Sequence, residues 1–250
     1  MKTMSVVVTA IFLATPLCLN YVAEAINYNQ LRLMAAKHNM TCILVFGDSS
    51  VDPGNNNYLS TPSKSNFLPY GEDFYSGHPS GRFSNGRLAT DFIAEAFGYT
   101  DLVRAFLDPT ITRKDMLHGV SFASAASGYD EFTANLSNVM SISKQLDYFR
   151  HYKIRIRNLV GTKESEEIVG NALLILSMGT NDFLVNYYVE PTRSRQYNIQ
   201  RYQNYLISCM KTAIKNMHAL GARKVMVVGV PPFGCMPLVR TLRDDIKCDA

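Results

Sequence analysis

Three stretches of the chain are continuously apolar and stop abruptly at small polar residues: TCILVFGDS (41–49), NALLILSMGTND (171–182) and ARKVMVVGVPPFG (222–234). Runs of this length bounded by turn formers read as strands buried on both faces. A shorter run, HGVSFASAASG (118–128), dissolves into small residues. Between these runs the apolar period changes from continuous to helical. GRLATDFIAEAFG (86–98) carries Leu88, Phe92, Ile93, Ala96 and Phe97 at helical spacing and ends on glycine, as helices often do. ISKQLDYFRHYKIRIRNLVG (142–161) and YNIQRYQNYLISCMKTAIKNMHALG (197–221) repeat the design at greater length. Strands alternating with helices predict an α/β fold, a three-layer α/β/α sandwich built on a parallel sheet.

In such a sheet a site forms just beyond the carboxyl ends of the strands. The strand ends FGDSS, SMGTND and GVPPFG place Ser49 and Asn181 at one rim. Asp48, Ser50, Asp52 and Gly54 faintly imitate a calcium loop, but Pro53 stands where its sharp-turn glycine belongs and Leu59 where its bidentate glutamate belongs. No metal site is expected. G-x-S-x-G, G-x-x-x-x-G-K-[ST] and G-x-G-x-x-G are all absent, which removes the strained elbow of α/β-hydrolases and the usual phosphate cradles. Two readings of Ser49 remain on this segment: a nucleophile, or with Asp48 a cap for a following helix. The turn Ser84-Asn85-Gly86, read as opening the helix of 86–98, offers a backbone N–H to an anion. Ser49 as nucleophile, its own N–H, the N–H of Gly86 and the amide of Asn181 would together make an oxyanion hole for acyl transfer.

Composition adds compartment and partners. Among 250 residues, 47% are hydrophobic and 18% charged, which suits one large globular domain. Lys2, the apolar core Val6 to Leu19 and Ala23-Glu24-Ala25 form a secretory signal, giving a signal peptide over 1–25 and one domain over 26–250. Its apolar core is too short to span a membrane. The expected location is therefore extracellular, with glycosylation at the sequons of Asn39 and Asn135. An oxidising compartment permits disulfides, and Cys235 and Cys248, flanking a short polar loop, are the expected pair. Cys42 reads as buried in a strand and Cys209 as helical; no C-x-x-C suggests zinc. The net charge of +4 is mild, and the one basic stretch, RHYKIRIRNLV (150–160), fits a solvated helix face rather than a nucleic-acid surface.

The motifs together resemble plant GDSL esterases/lipases of the SGNH hydrolase superfamily. FGDSSVDPGNNN is similar to that family's first block, with Ser50 in place of its leucine; NFLPYGEDFYSGHPSGRFSNGRLATDFIAE to the second; SMGTNDF to the third. GVSFASAASGYD and GVPPFGCMP are similar to further stretches of the plant branch. The resemblance implies an SGNH/flavodoxin-like sheet, Ser49 as nucleophile, and Gly86 (preferred to Gly81) and Asn181 in the oxyanion hole. It implies a small-molecule ester or lipid substrate, no cofactor, a monomer, and, for a secreted plant protein, a place in the apoplast or cell wall. The family also supplies Asp and His from a D-x-x-H motif near its C-terminus, after a further strand. Here the sole D-x-x-H is Asp115-Met116-Leu117-His118, mid-chain and before a strand, so no catalytic Asp/His pair is expected in this chain, and the final strand and its covering helix are expected to be missing. The leading expectation is a secreted serine ester hydrolase working through an acyl-enzyme. The alternative is a catalytically impaired truncated relative that acts as a ligand-binding remnant or has no function.

Overall fold

The computed structural model describes residues 28–243. Five strands, β1 (Ile43–Gly47), β2 (Arg104–Ala105), β3 (Gly119–Ser121), β4 (Leu173–Ser177) and β5 (Lys224–Val228), form one sheet in the order β2-β3-β1-β4-β5, all parallel. The chain winds from β1 toward β2, returns to β3, then crosses β1 to reach β4. The winding direction thus changes around β1, and its carboxyl end lies where such sheets open a crevice. β1 and β4 end level, Gly47 opposite Ser177.

Helices cover both faces. Between β1 and β2 lies α2 (Ala89–Ala96), which follows α1 (Tyr28–Lys37) in chain order. Ala94, with Ile93 and Phe97 beside it, packs on Ile43, Val45 and Ile175, the side chains of one sheet face. The opposite face carries the larger core. There α3 (Arg113–His118), α5 (Ile142–Val160), α6 (Thr162–Asn171) and α9 (Ile199–Ala219) pack on Leu44, Phe46, Val120, Leu174 and Leu176. Phe46, Phe122 and Phe149 meet within 5.9 Å of one another, centroid to centroid. The shorter helices α4 (Glu131–Leu136), α7 (Thr180–Phe183), α8 (Thr192–Gln196) and α10 (Pro237–Arg243) complete the described residues. The expected α/β/α sandwich with a parallel sheet is what forms.

Local chemistry sets the helix ends. Ser141 and Asn198 cap α5 and α9, their side chains accepting from Lys144 N and Arg201 N. Gly161 ends α5 at a φ of 86°, where a side chain would be strained. The basic stretch behaves as expected: Phe149, Tyr152 and Ile156 are buried while Arg150, Arg155 and Arg157 face solvent. β5 sits at the sheet's rim with Met226, Val227 and Val228 about 40% exposed (36%, 41% and 41%).

The signal segment 1–25 and Cys248 lie outside the described residues. Cys235 is disulfide-bonded, and Cys42 and Cys209 are free thiols. No helix among the described residues is long and apolar enough to cross a membrane.

Candidate active site

The turn after β1 is fixed by backbone proximity. A Cβ on Gly47 would lie 2.1 Å from Ser177 O and 2.6 Å from Val51 Cγ2, so only glycine lets β1 leave the sheet beside β4. Asp48 N then donates to Ser177 O at 3.0 Å, and Ser50 N to Asp48 Oδ1 at 2.9 Å. Asp48 is buried, and loss of solvent raises its carboxyl above the ordinary range, with the Ser50 N–H pulling the other way. No α-helix follows here, so the capping reading of Ser49 does not hold. Neither the N–H nor the hydroxyl of Ser49 has a hydrogen-bond partner among the described residues.

The asparagine-rich loop that follows binds protein, not cation. Asp52 is wholly buried; Oδ1 accepts from Gly54 N and Asn55 N at 2.8 and 2.7 Å, and Oδ2 from Ala125 N at 2.9 Å. Asn55 Nδ2 donates to Ser121 O and Ala123 O, both at 2.8 Å. This lacing seals the β1 turn against the exit of β3. Burial lifts the Asp52 carboxyl to about 6 despite four backbone donors.

Asn181 enters from the neighbouring strand. β4 gives way to Gly179, and Asn181 stands in the first turn of α7. Its Nδ2 donates to Ser127 O at 2.9 Å. The next residue, Asp182, is buried and accepts from Tyr129 N (2.8 Å), Asp130 N (3.1 Å) and Thr133 Oγ1 (2.6 Å). Desolvation raises its carboxyl to about 7, against these donors.

Ser49 and Asn181 line one cleft of about 560 Å³. Ser50, Ser177 and Thr180 add hydroxyls, and the Ser50 and Ser177 hydroxyls are 2.9 Å apart. Tyr70, Phe83, Met178, Val228, Pro231 and Met236 supply an apolar wall. A hydroxyl and an amide facing an apolar recess suit an uncharged carbonyl substrate with hydrocarbon attached.

Gly86 is placed elsewhere. It does not line the cleft; its N–H donates to Ser84 Oγ at 3.1 Å. It also does not open the helix, as its position had suggested. α2 starts at Ala89, and Leu88 precedes it with its N–H bound to Asp91 Oδ2 at 2.8 Å. Asp91, three residues into the helical pattern, therefore sets the start. Gly81 likewise does not line the cleft, and its position requires glycine, since an added Cβ would lie 2.2 Å from Asn57 Nδ2. Phe83, between the two glycines, is the member of this segment that reaches the wall, with Tyr70.

None of the five histidines, all among the described residues, lines the cleft. His118 immediately precedes β3, whose first residue pairs with Ile43, whereas Ser49 follows the other end of β1. About 13 Å of strand separates the two levels. No group of three His, Cys, Asp or Glu side chains among the described residues is arranged to hold a metal.

Comparison with known proteins identifies the family. The family model described as GDSL-like lipase/acylhydrolase matches residues 43–249. The chain belongs to that family. It is 53% identical over 224 residues to the GDSL esterase/lipase At5g45950 of Arabidopsis thaliana, covering 90% of this chain and 62% of that protein. It is 49% identical over 206 residues to GDSL esterase/lipase At5g45960 of the same plant, covering 82% and 55%. A third Arabidopsis relative, GDSL esterase/lipase APG, is 44% identical over 200 residues, covering 80% and 57%. The chain thus spans between 55% and 62% of the length of these curated relatives.

Proposed function

We propose that this GDSL family member is a secreted serine ester hydrolase acting on carboxylic esters or lipids through an acyl-enzyme. One observation carries the reading. Ser49 and Asn181, on the exits of adjacent strands, share a cleft with an apolar wall. The Ser49 hydroxyl attacks the ester carbonyl carbon and loses its proton to a base. The carbonyl oxygen takes up negative charge and is held by the Ser49 N–H and the Asn181 amide. Collapse expels the alcohol, and water then releases the acid. The acyl chain lies along Phe83, Val228, Pro231 and Met236. None of the five histidines lines the cleft; in the family's pattern the base is the histidine of a D-x-x-H motif near the C-terminus. Export by the segment 1–25, an extracellular location, glycosylation of Asn39 and Asn135 (both exposed) and a monomeric state belong to the same proposal.

The test is turnover of short-chain aryl esters by the full-length protein and by Ser49→Ala. Turnover that survives in Ser49→Ala removes Ser49 from the reaction. A second reading, a non-catalytic site that holds an acyl ligand, is favoured by the lack of a histidine among the cleft's described residues. A fluorophosphonate probe separates the two, because rapid labelling requires an activated serine.

A further inference from the structure

The stretch GVSFASAASGYD has no role in the reaction steps of ester hydrolysis, yet one of its residues touches both halves of the site. Ser127 is wholly buried. Its Oγ donates to Gly47 O at 2.9 Å, two residues before Ser49. Its carbonyl accepts the Asn181 amide at 2.9 Å. Gln145, reaching in from α5, ties the same point: Nε2 approaches Gly47 O at 2.9 Å and Ser127 Oγ at 3.2 Å, while Oε1 accepts Gly47 N at 2.9 Å.

A backbone carbonyl can only accept. It therefore selects the orientation of Asn181 in which Nδ2, not Oδ1, faces it. Since the amide is planar, holding one N–H also sets the direction of the other, which has no partner among the described residues. The segment after Ser127 cannot slide away. Asp182 grips Tyr129 N and Asp130 N, and a Cβ on Gly128 would fall 2.1 Å from Asp182 Oδ1.

We propose that Ser127 is a positioning residue for ester hydrolysis, setting the separation of Ser49 from the Asn181 amide by bonding to both turns. The proposal rests on the reading of Ser49 and Asn181 as nucleophile and oxyanion donor. A misplacement of about 1 Å can cost on the order of 100-fold in rate. Ser127→Ala is therefore expected to lower kcat by about 10- to 100-fold while KM stays within about 3-fold, the pattern of a lost transition-state interaction.

The experiment is a double-mutant cycle on aryl-ester turnover by the full-length protein: wild type, Ser127→Ala, Asn181→Ala and the pair. Ser127→Ala removes the Oγ bond to Gly47 O and keeps the carbonyl that holds Asn181, so what it alters is the spacing between the two turns; its effect should therefore shrink below about 3-fold once Asn181 is alanine. An equal loss in both backgrounds, or an unchanged kcat in Ser127→Ala, overturns the proposal. Where Ser127→Ala fails to fold, Ser127→Gly, which also lacks the Oγ donor, replaces it in the same cycle, and the same two outcomes overturn the proposal. A second measurement needs no turnover. The side-chain amide of Asn181, identified in a ¹⁵N spectrum by its disappearance in Asn181→Ala, should shift or broaden in the Ser127 variant. An unmoved signal refutes the positioning role even if no ester is hydrolysed. Absent turnover in the wild type, with a moved amide signal, refutes the functional reading instead and leaves the coupling standing.

Discussion

Gln145 offers a perturbation whose cost can be worked from its contacts. Its Oε1 is the partner of Gly47 N at 2.9 Å, and its Nε2 donates to Gly47 O at the same distance; both residues are buried. Gln145→Met keeps the length and removes both bonds. Gly47 O then retains Ser127 Oγ at 2.9 Å and Ser124 N at 3.0 Å, so the groups left without a partner are the Gly47 N–H and the buried Met140 carbonyl, which Gln145 Nε2 meets at 3.3 Å. One buried N–H without a partner costs about 1–3 kcal/mol. Gln145→Glu has the right shape but, when ionised, turns an oxygen toward Gly47 O and leaves a charge in the core. An uncompensated buried charge costs about 3–5 kcal/mol, so at pH 7.5 this variant should be the weaker of the two. Protonated, the same carboxyl again offers one donor and one acceptor. Its folded-state pKa is thus raised above the unfolded value of about 4.3. Stability is then fully present below that value and is lost as pH rises through the raised one. Urea unfolding followed by near-UV circular dichroism, at pH 4.5 and 7.5, measures the difference. The glutamate variant should lie below methionine at pH 7.5 and at or above it at pH 4.5. A gap that does not change with pH would show that Gln145 does not make this pair of bonds.

Three further outcomes follow from the same geometry. Gly128→Ala should abolish soluble expression, since its Cβ would sit 2.1 Å from Asp182 Oδ1, whereas Gly86→Ala, with its nearest contact at 3.5 Å, should fold and turn over within about 3-fold of wild type; a loss near 100-fold in Gly86→Ala would return that glycine to the oxyanion hole. Asp182, raised by burial from 3.8 to about 7, holds its proton longer in the folded state, so its contribution is complete below about pH 4 and declines as pH rises through 7. Asp182→Asn should flatten that part of the stability curve between pH 4 and 7, read by urea titration; an unchanged slope would mean the carboxyl is ionised throughout. Cys42, wholly buried and pushed up to about 12 by desolvation, should stay unlabelled by a maleimide until the protein unfolds, while the half-buried Cys209 reacts; native-state labelling of Cys42 would refute its burial.

What could be read from the sequence follows from where each signal resides. β1 and β4 are legible because strands buried on both faces need unbroken apolar runs; β5 carries the same kind of run, but Met226, Val227 and Val228 stay partly exposed at the sheet's rim, against the expectation of burial on both faces. The long helices α5 and α9 are legible through their apolar stripes and caps. β2 has two residues, and its pairing with β3 defines it, so no local pattern exists to be found. α6 is nearly all polar, with only Ser165, Ile168 and Val169 buried, and its helix is held by packing on α5 rather than by a stripe. The placement of Ser49 and Asn181 at one rim was visible because strand exits concentrate small polar residues. Gln145 was not, because a glutamine in a helix reads as surface. The signal lay in its spacing: it falls between Ile142 and Phe149 on the face that also carries Tyr152 and Ile156, a polar residue amid buried apolar ones. Gly86 misled because a glycine before an apolar helical pattern imitates a helix start, while Asp91 sets the real one.

The cleft's two components are joined to the protein by different kinds of contact, and that difference determines which part can be varied. The reacting side is held by directional bonds that tolerate few residue types. The wall is held by packing: Tyr70 and Phe83 meet edge to face at 5.8 Å. Neither Phe83, Pro231 nor Met236 has a side-chain group able to join the hydrogen-bonded set. A combinatorial library confined to Tyr70, Phe83, Pro231 and Met236 can therefore reshape the recess while Gly47, Ser127, Gln145 and Asn181 keep their arrangement. On the proposed function, substrate range and reaction geometry become separately adjustable quantities in this scaffold, and the sensible order of laboratory evolution is to alter the wall and leave the bonded set untouched.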